Sequence, residues 1–119
     1  MEVQYFCSAE GANYVGDVVE DQSPKAVKKI IGRLELIEEW GINFFTYSGY
    51  AKKLHGFDLW EIIVDFGRKC YRIFCVIRDA TCWLVHMIIK KSNETPRWEI
   101  ETALSRVRVL DKRLALVVS

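Results

Sequence analysis

The hydrophobic pattern of this chain changes rhythm twice, from a helical period to a strand period and back. Val3 to Cys7 is a short β-type run, and Ser8 to Gly11 after it has turn composition and leads to Asn13, a side chain suited to capping a helix. Tyr14, Val15, Val18 and Val19 then form one apolar stripe, which predicts a brief helix. Ser23-Pro24 is a stronger start signal, because serine accepts from the first free amides and proline at the first helical position gives up a hydrogen bond that would not exist. From there Val27, Ile30, Ile31, Leu34 and Ile37 fall on one helical face, and Gly41 closes the helix after Trp40. The two helices read as an antiparallel hairpin.

From Leu59 the period becomes two. Three β-runs follow, Leu59 to Phe66, Cys70 to Arg78 and Cys82 to Lys90, separated by Gly67-Arg68-Lys69 and Asp79-Ala80-Thr81. Separators of that length predict an antiparallel meander. Thr95-Pro96 repeats the cap-plus-proline device, and Trp98, Ala103, Leu104, Val107 and Leu110 predict a closing helix to about Lys112. The order β-α-α-β-β-β-α is an α+β arrangement, expected to pack its helices mostly on one sheet face and leave the other open.

At 119 residues, with no repeat, low-complexity tract or linker, the chain reads as one domain, residues 1–119. Half of the residues are hydrophobic and 28% are charged, enough to bury a core. The longest apolar run, Cys82 to Ile89, is too short for a membrane helix, and the first residues lack a signal core. A cytoplasmic protein without membrane contact is therefore expected. Cys7, Cys70, Cys75 and Cys82 are then reduced and act as core filler. The net charge of +1 hides an uneven distribution: residues 1–51 hold 4 Lys/Arg against 8 Asp/Glu, and residues 52–119 hold 13 against 8. A basic second half suits a polyanion such as RNA.

Alternation sorts the strand faces. Trp60, Ile62, Val64 and Phe66, then Tyr71, Ile73, Cys75 and Ile77, then Trp83, Val85, Met87 and Ile89 are expected in the core. The open face would collect Glu61, Arg72, Phe74, His86 and Lys90, with Arg68 and Lys91 at strand ends. Cations with an interleaved ring suit single-stranded RNA, where charge follows phosphates and rings stack on bases. A metal site is not expected: Cys82 and His86, on one strand face, stand about 13 Å apart at ~3.3 Å per residue, and no cysteine spacing resembles a zinc pair. No phosphate loop or Ser-His-Asp arrangement is recognisable. The four tryptophans read as core aromatics, and Glu35 to Glu39 as a solvated acidic helix face or one that meets a basic partner.

The segment Leu54 to Ile62 with its Leu59-Trp60-Glu61, the Tyr71-Arg72 strand, and His86 followed by Lys90-Lys91 and Thr95-Pro96 together resemble the RelE/ParE toxin superfamily, in particular its phage-derived, HigB-like branch. The resemblance runs over residues 34–113 and implies a RelE-like fold. It also implies a type II toxin–antitoxin toxin, a ribosome-dependent endoribonuclease on mRNA with no metal and no small-molecule cofactor. The implied partners are ribosome, mRNA and a helix-turn-helix antitoxin. Arg72 matches the strand arginine that would hold the scissile phosphate, Lys90 a lysine for the backbone or for proton transfer, and His86 a proton shuttle, giving three catalytic candidates. Lys91, Arg68, Lys69, Phe74, Lys52 and Lys53 are the RNA- or ribosome-binding candidates. One position departs: where family members commonly carry arginine or another polar residue, this chain has Ile63, and a missing cation there removes a contact worth roughly 2–4 kcal/mol. An interaction protein of the same fold with weakened catalysis is therefore the alternative. A ParE-like inhibitor of DNA gyrase is the third reading, against which the paired lysines argue. The tail Leu114 to Val118 lies beyond the resemblance and is expected to add a strand or meet a partner.

Overall fold

The computed structural model describes residues 1–90 and 94–118. Its elements are β1 (Glu2–Tyr5), α1 (Tyr14–Glu20), α2 (Pro24–Trp40), a short 3-10 helix (Ile42–Phe45), β2 (Ala51–Lys53), β3 (Trp60–Phe66), β4 (Lys69–Arg78), β5 (Thr81–Lys90) and α3 (Arg97–Val118). The helix starts follow from their caps. Asn13 accepts from the Gly16 amide at 2.9 Å, and a side chain at Gly16 would collide with the cap, since a Cβ there would lie 2.2 Å from Asn13 Nδ2. Ser23 accepts from the Ala26 amide with Pro24 at the first turn, and Gly41, at φ 82°, ends α2 in a conformation open to glycine.

One mixed sheet has the order β1-β5-β4-β3-β2. The predicted meander β3-β4-β5 is its centre, antiparallel throughout, and both of its hairpins are tight. Asp79 and Ala80 have φ of 50° and 62°, the left-handed geometry that lets a two-residue turn follow the twist of its strands. The edges were not foreseen: β1 runs parallel to β5, and the three-residue β2 pairs with β3. Among the described residues no helix is long and apolar enough to cross a membrane.

Helices cover both faces, which corrects the expectation of one open face. On the first, Val15 and Val19 of α1 and Ile30, Leu34 and Ile37 of α2 pack on Ile62, Val64, Tyr71, Ile73 and Cys75. On the second, Ala103, Val107 and Leu110 of α3 cover Leu59, Phe74, Val76, Val85 and Ile88. The face assignment read from alternation holds along β3 and β4 and fails in half of β5. Phe74 pairs with His86, but Cys75 pairs with Leu84, so Val85 is an extra residue. A bulge reverses the parity of everything before it. Cys82 and Leu84 therefore enter the first core, while Trp83 and Val85, expected there, pack under α3. The closing helix does not stop near Lys112: the tail continues it to Val118 instead of adding a strand. Two of the four tryptophans are not core residues, Trp40 being 58% and Trp98 64% exposed.

Candidate functional site

Along β3 and β4, the face that carries α3 also presents Glu61, Ile63 and Asp65 opposite Phe74, Arg72 and Cys70. Beyond the N-terminal end of α3 this face is charged instead of apolar. Its centre is Glu61, which is completely buried. Arg72 Nε lies 2.9 Å from its Oε1, Lys52 Nζ 3.6 Å from Oε2 and Lys90 Nζ 4.0 Å from Oε1. Asp65 stands at the rim, 3.9 Å from Arg72 Nη1. The Arg72–Glu61 contact is an ion pair by distance but not an aligned hydrogen bond. Among the described residues, both Glu61 oxygens and Nε and Nη1 of Arg72 are buried without hydrogen-bond partners of good geometry. Buried polar groups in that state are uncommon and mark places where a ligand can complete the geometry.

The Lys90 side chain is only 5% exposed, and burial lowers its pKa. Glu61 pulls it back up, while Arg72 and Lys52 push it down. A lysine held that way gives up its proton more readily than one at the surface. Three cations against two carboxylates leave the cluster net positive, with a guanidinium fork suited to phosphate oxygens.

The sequence-derived candidates divide. Arg72, Lys90 and Lys52 come together around Glu61. Lys53 faces the other side of β2, over the Trp60 ring. Lys69 is on the helical-hairpin side, with its ammonium 3.4 Å from Gln22 Oε1. Arg68 is exposed in the hairpin turn. Phe74 is fully buried beneath α3 and presents no ring for a base to stack on. Lys91 lies outside the described residues.

His86 is built into the seat of α3. Arg106 Nη1 donates to His86 Nδ1 at 2.8 Å and to the Val85 carbonyl at 3.0 Å, with its guanidinium 3.5 Å from the centre of the Tyr14 ring. Because arginine only donates, Nδ1 must accept, so Nε2 carries the proton and gives it to Glu99 Oε1 at 2.9 Å. Both ring nitrogens are occupied by helix–sheet contacts, an arrangement that fixes α3 and leaves neither free to shuttle a proton. Burial lowers the His86 pKa, with Glu99 opposing and Arg106 assisting. In acid the unfolded chain takes up the proton first. The stability held by this neutral imidazole is complete above about pH 6.5 and is lost as pH falls from there through the lower folded value. Thermal unfolding at pH 7.5 and 5.5 should show a drop in Tm that shrinks in His86→Gln, whose amide keeps one donor and one acceptor without titrating. An equal drop in both proteins would place the acid sensitivity elsewhere.

Sequence reasoning missed Glu61 as the hub. Its signal was an acidic residue between Trp60 and Ile62 in an otherwise apolar strand centre. Glu99 and Arg106 had no such signal, since their role depends on where α3 docks.

Residues 17–108 match the family described as phage-derived protein Gp49-like (DUF891). The chain belongs to the Gp49-like family. That span holds every member of the Glu61 cluster and, apart from Tyr14, of the His86 network. The Gp49-like family is part of the RelE/HigB-like group of toxin–antitoxin toxins, and the α+β architecture is compatible with a RelE-like fold. No curated protein matches the chain.

Proposed function

We propose that this Gp49-like protein is a HigB-type toxin that cuts mRNA on the ribosome in the cytoplasm and is held inactive by a helix-turn-helix antitoxin. The observation that carries the reading is the convergence of Arg72, Lys90 and Lys52 on one buried carboxylate, with the Arg72 fork short of hydrogen bonds. RNA supplies its own nucleophile, the 2′-hydroxyl beside the scissile phosphate. The protein need only orient the nucleotide, stabilise the charge that builds on phosphorus and assist a proton. In this reading Arg72 holds the phosphate, and Lys90, with its lowered pKa, is the group placed to move a proton. Lys52, Lys91 and Arg68 attract the RNA backbone, while His86 positions α3.

Mapping mRNA 5′ ends after brief expression, wild type against Arg72→Ala, tests it. New in-frame cuts that disappear with the substitution support the toxin reading. Intact mRNA with both proteins removes it.

One observation favours the second reading, a non-cleaving interaction protein. Ile63 is the direct cross-strand partner of Arg72, so the apolar residue sits where a second cation would reach the same phosphate. Ile63→Arg should raise cleavage about 10²-fold or more if the scaffold is otherwise competent, judged by the worth of one charge-stabilising donor. An unchanged absence of cleavage in that variant favours the interaction protein.

A further inference from the structure

The outer face of α2 carries its charges in an order that works against the helix. Lys25, Lys28 and Lys29 stand exposed in its first half, and Glu35 and Glu39 in its second. The first turn thus holds a cation and no acidic residue at the positive end of the helix dipole. At the other end the Met1 ammonium, which donates to the Glu38 carbonyl at 2.8 Å, already offsets the dipole. Like charges also recur at i and i+4, Lys25 with Lys29 and Glu35 with Glu39, a spacing at which they repel. Lys29 is drawn aside to donate to the Asp65 carbonyl. Among the described residues, Lys25, Lys28, Glu35 and Glu39 enter no ion pair.

Gly32 stands midway between the two charge groups, on the same face. Glycine inside a helix weakens it relative to alanine. Nothing within this chain calls for glycine here, since a Cβ at position 32 would meet no atom within 4 Å. On an outward helix face, a missing side chain lets a second backbone come close.

This face is its own complement when reversed. Lys25 lies seven residues before Gly32 and Glu39 seven after, while Lys28 lies four before and Glu35 three after. At 3.6 residues per turn, all four project within about 60° of the direction in which Gly32 points. Leu36 and Trp40, exposed at 42% and 58%, stand beside the glutamates.

We infer that this protein pairs with a second copy of itself through α2 alone, the two helices lying antiparallel and crossing at Gly32. The two-fold axis runs between the helices at right angles to them, so one face meets its own image. Lys25 in each copy then meets Glu39 in the other, and Lys28 meets Glu35. Charges that repel within each helix find opposite charges across the contact, and Leu36 and Trp40 cover the lysine stems of the other copy. The Glu61 cluster lies on the sheet face that carries α3, away from this contact. The pairing therefore does not depend on whether the protein cleaves RNA. One helix per copy buries less than the about 1,200–2,000 Å² of a lasting complex, so the dimer exchanges with monomer.

Sedimentation velocity at concentrations up to ~1 mM tests it. The wild type should form dimers at ~0.05 M salt that dissociate toward monomer at ~0.5 M, where exposed charges are screened. Lys25→Glu with Lys28→Glu should be monomeric, and so should Glu35→Lys with Glu39→Lys, since each sets like charges against each other at every pairing. An equimolar mixture of the two variants restores opposite charges throughout and should dimerise. Gly32→Gln separates the contact from the fold: it should raise the Tm of the dilute monomer by a few degrees, as a better helix former, and abolish the dimer by holding the helices apart. Circular dichroism verifies that the charge variants fold. A wild type monomeric at every concentration overturns the inference. So does a dimer that survives the reversals or Gly32→Gln, which would use another surface, or a mixture no more associated than its components.

Discussion

Replacing Glu61 with leucine should cost the protein about 3–5 kcal/mol of stability, the usual penalty for removing one partner of a buried ion pair. The three cations around it do not share that cost equally. Lys52 has a side chain 54% exposed and can turn to water. Arg72 at 14% and Lys90 at 5% cannot do so without moving the strands that hold them, and without Glu61 they face each other as like charges. Urea unfolding would show a lower midpoint with little change in slope. The triple substitution Glu61→Leu, Arg72→Met and Lys90→Met should regain most of the loss or exceed the wild type, because well-packed apolar groups often replace buried charges at no net cost. That outcome would mean that stability does not account for the charges. A loss of under about 1 kcal/mol from Glu61→Leu would instead mean that water already reaches Arg72 and Lys90.

The same cluster shows where the sequence was legible. Caps and periods are local, so Asn13, Ser23-Pro24 and Gly41 marked the helices, and separators of hairpin length marked the meander. What depends on packing was hidden. Strand β2 is three residues long, too short for alternation to register. The bulge at Val85 leaves no mark in a strand apolar on both faces, yet it moves Cys82 and Leu84 to the other side of the sheet. The docking of α3 decides that Phe74 is core and that His86 is a strut. Alternation put Arg72 and Lys90 on one sheet face, and the family resemblance singled them out as site residues. Glu61 was sorted to the correct face without being recognised as the group that gathers them.

Arg72→Lys is the sharpest test of the proposed chemistry, and it should lower mRNA cleavage by about 10²–10³ while leaving the fold intact. Arg72→Ala alone is ambiguous, because it also strips Glu61 of its nearest cation, at 2.9 Å, and part of any lost activity would be lost protein. Lysine keeps the charge and can still pair with Glu61. It lacks the planar fork that would meet two phosphate oxygens at once and follow them into the five-coordinate transition state. Nη1 of Arg72 is buried and short of a well-aligned partner, so a phosphate contact there breaks no good hydrogen bond but requires the guanidinium to shift outward. The loss should fall on the single-turnover cleavage rate more than on ribosome affinity, which depends on charge. An Arg72→Lys protein of unchanged stability that cleaves at the wild-type rate would show that Arg72 acts only as a charge. The burden of transition-state recognition would then pass to Lys90.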